Sequence, residues 1–314
     1  MSASTAAPAP AAVPAPAAVP APTVDAVYPI LLVALDIDGT LVGEDLVVGE
    51  RTRAAIAAAT ARGVAVSLVT GRMASSALRF ARALDLRGPL IAYQGGLARL
   101  MPEPGSTRLG RLLWHRPVPA VVAREAIVWS RERGLDPHVN HLERFILRAD
   151  DPRADDYSAF MGSHAELVQD LLAAIVHPVT KVLAVGDEHR PHEVLAEARE
   201  RFAGRADVTI SHPRFLEFVA PGVSKGAAVC RLARRFGVPL ANTLAIGDQY
   251  NDLEMLSAVG HGVAMPSAPE AVMAAARYLA PPVAEEGVAT VLEALVLASP
   301  RVAASNARRL ASGG

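Results

Sequence analysis

Ile30-Leu31-Leu32-Val33-Ala34-Leu35-Asp36-Ile37-Asp38-Gly39-Thr40-Leu41 is the stretch that decides the fold. An unbroken apolar run ends at Asp36, the pattern of a strand buried on both faces of a parallel sheet. Side chains alternate along extended chain, so Asp36 and Asp38 project to the same side. That side is the crevice beyond the strand's carboxyl end, where open α/β sheets bind ligands. Two carboxylates at ~4 Å and an effective dielectric of ~20 repel by about 4 kcal/mol. A bound cation, or a proton on one of them, relieves that repulsion. The string Asp-x-Asp-Gly also begins calcium loops, which counted from Asp36 require glycine sixth and a bidentate glutamate twelfth. Leu41 and Val47 stand there instead, after a strand and not a helix. Calcium is not expected.

Working outward, residues 51–61 read as a helix stopped at Gly63, and residues 64–69 as a second buried strand closed by Thr70-Gly71-Arg72. A helix over 74–84 and a strand over 90–93 follow. Strands alternating with helices across short loops define an α/β fold with a doubly wound parallel sheet. From about residue 97 to 217 the chain is richer in charge, proline and histidine. Helices are expected there at 121–133, 164–175 and 193–202, with strands at 144–147, 181–185, 208–210 and 215–219. The α/β rhythm then returns, with helices at 225–236, 252–258, 268–276 and 288–298 and strands at 243–246, 262–265 and 277–280. The reading is a core domain of residues 28–96 and 218–298, an inserted α+β domain of residues 97–217, and tails over 1–27 and 299–314.

The N-terminal tail is almost wholly Ala, Pro, Val and Ser, with Pro8, Pro10, Pro14, Pro16, Pro20 and Pro22. Proline lacks an amide donor and fixes φ, so neither a stable helix nor a central strand is expected, and the tail reads as disordered. It has neither the basic start nor the continuous apolar run of a signal peptide. No stretch suits a membrane span. The 31 basic residues against 32 acidic ones give no surface bias toward nucleic acid or membrane. A single cysteine, Cys230, excludes an intrachain disulfide and fits a reducing, cytoplasmic setting.

Three further motifs converge on the same sheet end. Gly247-Asp248-Gln249-Tyr250-Asn251-Asp252 follows a buried strand and brings two carboxylates and an amide. Magnesium prefers a hard octahedral oxygen shell, and Asp36 and Asp248 supply direct ligands for it. Asn251 and Asp252 read equally as caps of the following helix. Ser224-Lys225-Gly226 opens a helix and Thr70-Gly71-Arg72 closes a strand. A lysine charge and a threonine hydroxyl at such places suit the oxygens of a transferring phosphoryl group. The histidines scattered between His115 and His212 have no ligand spacing, so zinc is not expected.

In this order the four elements resemble the four motifs of the haloacid dehalogenase (HAD) superfamily, and the chain from about residue 28 to 298 is similar to its Cof-type, C2-capped branch (subfamily IIB). Phe215-Leu-Glu-Phe-Val-Ala-Pro-Gly-Val-Ser-Lys-Gly226 and Glu286-Gly-Val-Ala289 carry the narrower likeness. The resemblance implies a magnesium-dependent phosphatase. Asp36 would be the nucleophile, and Asp38 the general acid and base, its backbone carbonyl also a metal ligand. Thr70, Gly71 and Lys225 would hold the phosphoryl group, and Asp248 would complete the metal site. Asn251 and Asp252 would support it, and Arg72 would face the substrate or fix its loop. The chain departs from the branch at Gln94-Gly95, where Asn-Gly is usual, and at Met265-Pro-Ser-Ala268, where Met-Gly-Asn-Ala is usual. The expected substrate is a small phosphorylated metabolite, by family analogy a sugar phosphate first, with the inserted domain choosing the leaving group. The rival readings are a phosphotransferase or mutase of the same fold and a non-catalytic sugar-phosphate binding protein.

Overall fold

The computed structural model describes residues 17–18, 29–102, 106, 108–151, 154–161 and 164–298. Apart from Ala17 and Ala18, the expected tails lie outside the described residues. Those two alanines form β1 (Ala17–Ala18), which pairs in parallel with residues 278–279 and departs from the expected disorder. It sits at the outer edge of a sheet, the one position where proline-flanked strand is tolerated.

The chain then enters β2 (Leu32–Leu35), α1 (Glu50–Ala61), β3 (Ala65–Leu68), α2 (Ala74–Ala83) and β4 (Pro89–Ala92). Every residue of β2 is buried. Val33 and Leu35 join an apolar cluster with Ile56 and Leu292, while Leu32 and Ala34 face Val229 and Leu256 on the other side. Packing on both faces explains the unbroken apolar run. β4 meets the end of β3 through a parallel bridge, Val69 to Ile91, and continues into an antiparallel sheet with β5 (Leu97–Leu100) and β6 (Leu112–His115). The division drawn from sequence at 96/97 therefore falls inside this three-stranded sheet.

A second six-stranded sheet follows with its own core. It is built from α3 (Ala120–Glu132), β7 (Asp136–His141), β8 (Arg144–Arg148), α4 (Ala154–Met161), β9 (Ala165–Val168), α5 (Leu171–Ala174), β10 (Lys181–Val185), α6 (Arg190–Phe202), β11 (Asp207–His212) and β12 (Phe215–Val219). The strand order is β11-β12-β10-β7-β8-β9, antiparallel except for β8 with β9. Trp129, Phe202 and Phe218 pack edge to face beneath it. The helix expected over 164–175 is not formed. Residues 165–168 complete the sheet beside β8, and the Asp170 side chain accepts from the Leu172 and Ala173 amides to start a separate one-turn helix. Ladder bonds to β8 override the helical pattern there.

The chain returns through α7 (Lys225–Phe236), β13 (Thr243–Gly247), α8 (Leu253–Ala258), β14 (His261–Ala264), α9 (Glu270–Ala275), β15 (Tyr278–Leu279) and α10 (Gly287–Val291). The first sheet is parallel throughout, in the order β1-β15-β14-β13-β2-β3. From β2 the chain moves outward to β3 on one side and later fills the other side with β13. That reversal is the switch point at which such sheets open a crevice. Among the described residues no helix is long and apolar enough to cross a membrane.

The turn between β7 and β8 docks on α2 and the three-stranded sheet. The Tyr93 hydroxyl donates to the Leu142 carbonyl, and the Ser75 amide donates to Glu143 Oε2 at 3.0 Å. Arg99 pairs with the other oxygen of Glu143 at 3.3 Å. Helix α2 starts at Met73 without a side-chain cap of its own, so Glu143 serves one of its free amides from the second sheet.

Candidate active site

Asp36 leaves the end of β2 with its amide donating to the Ile246 carbonyl of β13, which sets it beside Asp248. Lys225, the first residue of α7, lies with Nζ 2.8 Å from Asp36 Oδ1 and 2.7 Å from Asp252 Oδ1. Ser224 caps that helix by accepting from the Ala227 amide, fixing where the lysine emerges. Asp252 Oδ2 accepts from the Asp248 and Gln249 amides, each at 3.0 Å. Asp252 thus caps its turn and faces the charge cluster. Asp248 accepts from the Thr40 hydroxyl at 3.1 Å. A Cβ on Gly39, whose φ is +74°, would fall 2.3 Å from Asp248 Oδ2, so the loop after Asp38 needs glycine on two counts.

Carboxylate oxygens of Asp36, Asp248 and Asp252 lie within 4.8 Å of one another, all buried, around the single Lys225 ammonium. Burial, then Asp252, drives the Asp36 acid well above its ordinary range, against the pull of Lys225. Burial and Asp252 likewise push Asp248 up to about 6. Burial alone would lower Lys225, but Asp252 and Asp36 outweigh it and hold the ammonium above the ordinary lysine value. Three carboxylates around one positive charge leave excess negative charge, a setting that a hard divalent cation fits.

Asp38 lines the same chamber as Asp36, but its side chain is half exposed where that of Asp36 is buried. Arg72 grips it in a fork, Nε to Oδ2 at 2.7 Å and Nη2 to Oδ1 at 2.5 Å. Thr70 Oγ1 accepts from the Arg72 amide at 3.1 Å, which leaves the threonine hydroxyl proton for another acceptor. Asn251 donates to Gln94 Oε1 at 2.9 Å, while its own Oδ1 is buried and has no hydrogen-bond partner among the described residues. The structure thus gathers Asp36, Asp38, Thr70, Gly71, Arg72, Lys225, Asp248, Asn251 and Asp252 at one end of the sheet.

Residues from the second sheet complete the chamber, among them Lys181 and Ser211, which the sequence did not single out. Lys181, Ser211 and Phe215 line it with His212 and Glu217. Lys181 Nζ donates to Glu217 Oε1 at 2.9 Å and to the Gly71 carbonyl at 3.0 Å. Ser211 donates to the same glutamate oxygen at 2.6 Å. A signal for Lys181 exists in the sequence, a lone charge at the head of the apolar strand Lys181–Val185. Gln94, a departure from the family pattern, is buried and bonded on both sides of its amide.

Crevice, carboxylate cluster and buried lysine define a hydrolase site on a doubly wound sheet, and the chain belongs to the haloacid dehalogenase-like hydrolases, a family that matches residues 33–292. It is 30% identical over 256 residues to the HMP-PP phosphatase of Cronobacter sakazakii, covering 79% of this chain and 88% of that one. A haloacid dehalogenase-like hydrolase from Bacteroides thetaiotaomicron superposes with a TM-score of 0.72 at 28% identity, covering 85% of this chain and 98% of the other. A HAD subclass IIB sugar phosphatase, 22% identical, shares the fold with a TM-score of 0.71 over 83% of this chain and 97% of its own.

Proposed function

We propose that this phosphatase is magnesium-dependent and hydrolyses a small phosphorylated metabolite, a sugar phosphate first, through an aspartyl-phosphate on Asp36. The observation that carries the reading is the Asp36–Lys225 contact of 2.8 Å at the mouth of β2, beside Asp248. Asp36 attacks phosphorus and the bond to the leaving alcohol breaks, with Asp38 giving that oxygen its proton. Asp38 then takes a proton from the water that attacks the aspartyl-phosphate, releasing phosphate and free Asp36. Lys225 and the Thr70 hydroxyl hold the phosphoryl oxygens beside Gly71. Asp36, Asp248 and the Asp38 carbonyl would hold magnesium, which when bound neutralises these carboxylates and the phosphoryl charge. Asp252 keeps Asp248 and Lys225 in place, and Asn251 would support the site through Gln94.

A sugar is supported by the chamber itself. Lys181, Ser211, His212 and Glu217 offer a polar lining suited to hydroxyl groups. The named activity of the Cronobacter sakazakii relative makes HMP-PP the second substrate to try. The test is phosphate release from a panel of sugar phosphates, nucleotides, cofactor phosphates and HMP-PP, with magnesium and with chelator. Release that needs magnesium and vanishes in Asp36→Asn supports the reading. Near-normal rates from Asp36→Asn overturn the nucleophile, and transfer to a second sugar without free phosphate favours a phosphotransferase.

A further inference from the structure

Two spaces of very different size meet at the site. The catalytic chamber measures about 80 Å³, whereas a cleft of about 520 Å³ opens between α6, β11 and the starts of α7 and α8. Lys225 and Asn251 line both. Gln94 lines the cleft, and its amide is bonded to two residues that line the chamber. Its Nε2 donates to Glu217 Oε2 at 3.1 Å, and its Oε1 accepts from Asn251 at 2.9 Å. Gln94 is only 1% exposed. A carboxamide is the side-chain group that satisfies an acceptor and a donor at once from opposite ends.

The backbone holds the amide there under strain. Tyr93 and Gln94 stand one after the other at φ +53° and +59°, a region that non-glycine residues seldom occupy. Their amides donate to the Arg72 and Thr70 carbonyls at 3.1 and 3.0 Å, tying this turn to the loop that faces Asp36. Opposite, a Cβ on Gly71 would fall 2.4 Å from Gln94 Nε2, so the loop is bare where the amide passes.

We infer that Gln94 is a specificity-determining residue: its amide, bridging Glu217 and Asn251, walls the catalytic chamber off from the neighbouring cleft and so limits the leaving group to a small polar one. The inference rests on reading the Asp36 chamber as the phosphate site. Sites that enclose drug-sized ligands span about 300–1,000 Å³; the chamber falls short of that range and the cleft lies within it. The cleft also carries surface for a bulky ring, with Val208 and Leu253 as apolar walls and Tyr250 44% exposed at its edge. Opening the wall would join the two spaces and admit phosphate esters of larger, partly apolar alcohols.

Two variants leave the strained backbone comfortable. Gln94→Gly removes the side chain where φ is positive, and Gln94→Asn keeps an amide in a residue that tolerates this conformation but is one methylene too short for both partners. Dissociation constants of methylphosphonate and 1-naphthylphosphonate, read by calorimetry in magnesium buffer, need no turnover. Wild type should prefer the methyl compound, and that preference should fall at least tenfold in Gln94→Gly and less in Gln94→Asn. An unchanged ratio in folded Gln94→Gly overturns the inference, as does failure of wild type to bind methylphosphonate. Should Gln94→Gly not fold, the Gln94→Asn ratio decides. Phosphate release by wild type is scored separately, so a chain that shows the expected ratio without hydrolysing fails the phosphatase reading alone.

Discussion

The ammonium of Lys225 lies 2.8 Å from the Asp36 carboxylate, and water reaches neither group to any extent, with side-chain exposures of 1% and 6%. Such a contact is costly to break from one side, because the partner keeps its charge in a place without solvent. Lys225→Met leaves Asp36 and Asp252 facing each other without a counter-charge. The expected result is a loss of about 3–5 kcal/mol in denaturant unfolding and a fall in kcat of roughly 10²–10³. Unchanged kcat at saturating substrate would remove Lys225 from the phosphoryl site.

Asp248 gives a pH-dependent signature. Its acid is raised to about 6 from an ordinary 3.8, first by burial and then by Asp252. A carboxyl raised in the folded state contributes stability that is present below the unfolded value and is lost as pH rises through the folded one. In chelator, Asp248→Asn should therefore match wild type near pH 4 and melt at a higher temperature by pH 8. Adding magnesium at pH 8 should reverse the order, since a ligand of the native state stabilises only the chain that binds it. Melting temperatures that track each other across pH, with and without magnesium, would contradict both the charge cluster and the cation assigned to it.

The parts of this site that were legible in the sequence are those that local pattern determines. Asp36 is marked by an apolar strand running into it, Asp248 by a second such strand, and Lys225 by the cap residue before it. What the sequence hid depends on contacts between distant segments. Lys181 meets Gly71 across 110 positions, and Gln94 meets Asn251 across 157. No periodicity reports such meetings. The misread segment 164–175 has the same cause, because its first half is a strand only by virtue of the β8 edge that it joins.

Glu143 tests whether the second sheet is held over the first. Its carboxylate accepts from the Ser75 amide at the start of α2 and pairs with Arg99. Removing it with Glu143→Ala should cost about 0.5–2 kcal/mol, the range for a lost helix cap. Hydrogen exchange should quicken in residues 73–77 and in the 141–144 turn. If the turn holds the second sheet beside the site, KM for the best substrate rises while kcat holds; a change in kcat alone would place the turn's effect elsewhere.

Lys181 and Glu217 separate charge from shape in the chamber. Both are almost wholly buried, 2.9 Å apart, and the lysine also donates to the Gly71 carbonyl in the loop that faces Asp36. Glu217→Gln keeps the shape but strands the Lys181 charge and sets an NH2 donor against one of the donors that Glu217 now accepts from, so a loss of about 3–5 kcal/mol is expected. The double variant Lys181→Met with Glu217→Leu removes both charges, and burying apolar groups of similar volume should restore most of that stability. Activity should not return with it. The double variant no longer holds the Gly71 carbonyl or the Gln94 amide, so the loop carrying Gly71 loses its partner in the second sheet. A stable double variant with a raised KM would assign the pair to substrate positioning, whereas full activity would reduce it to a structural contact.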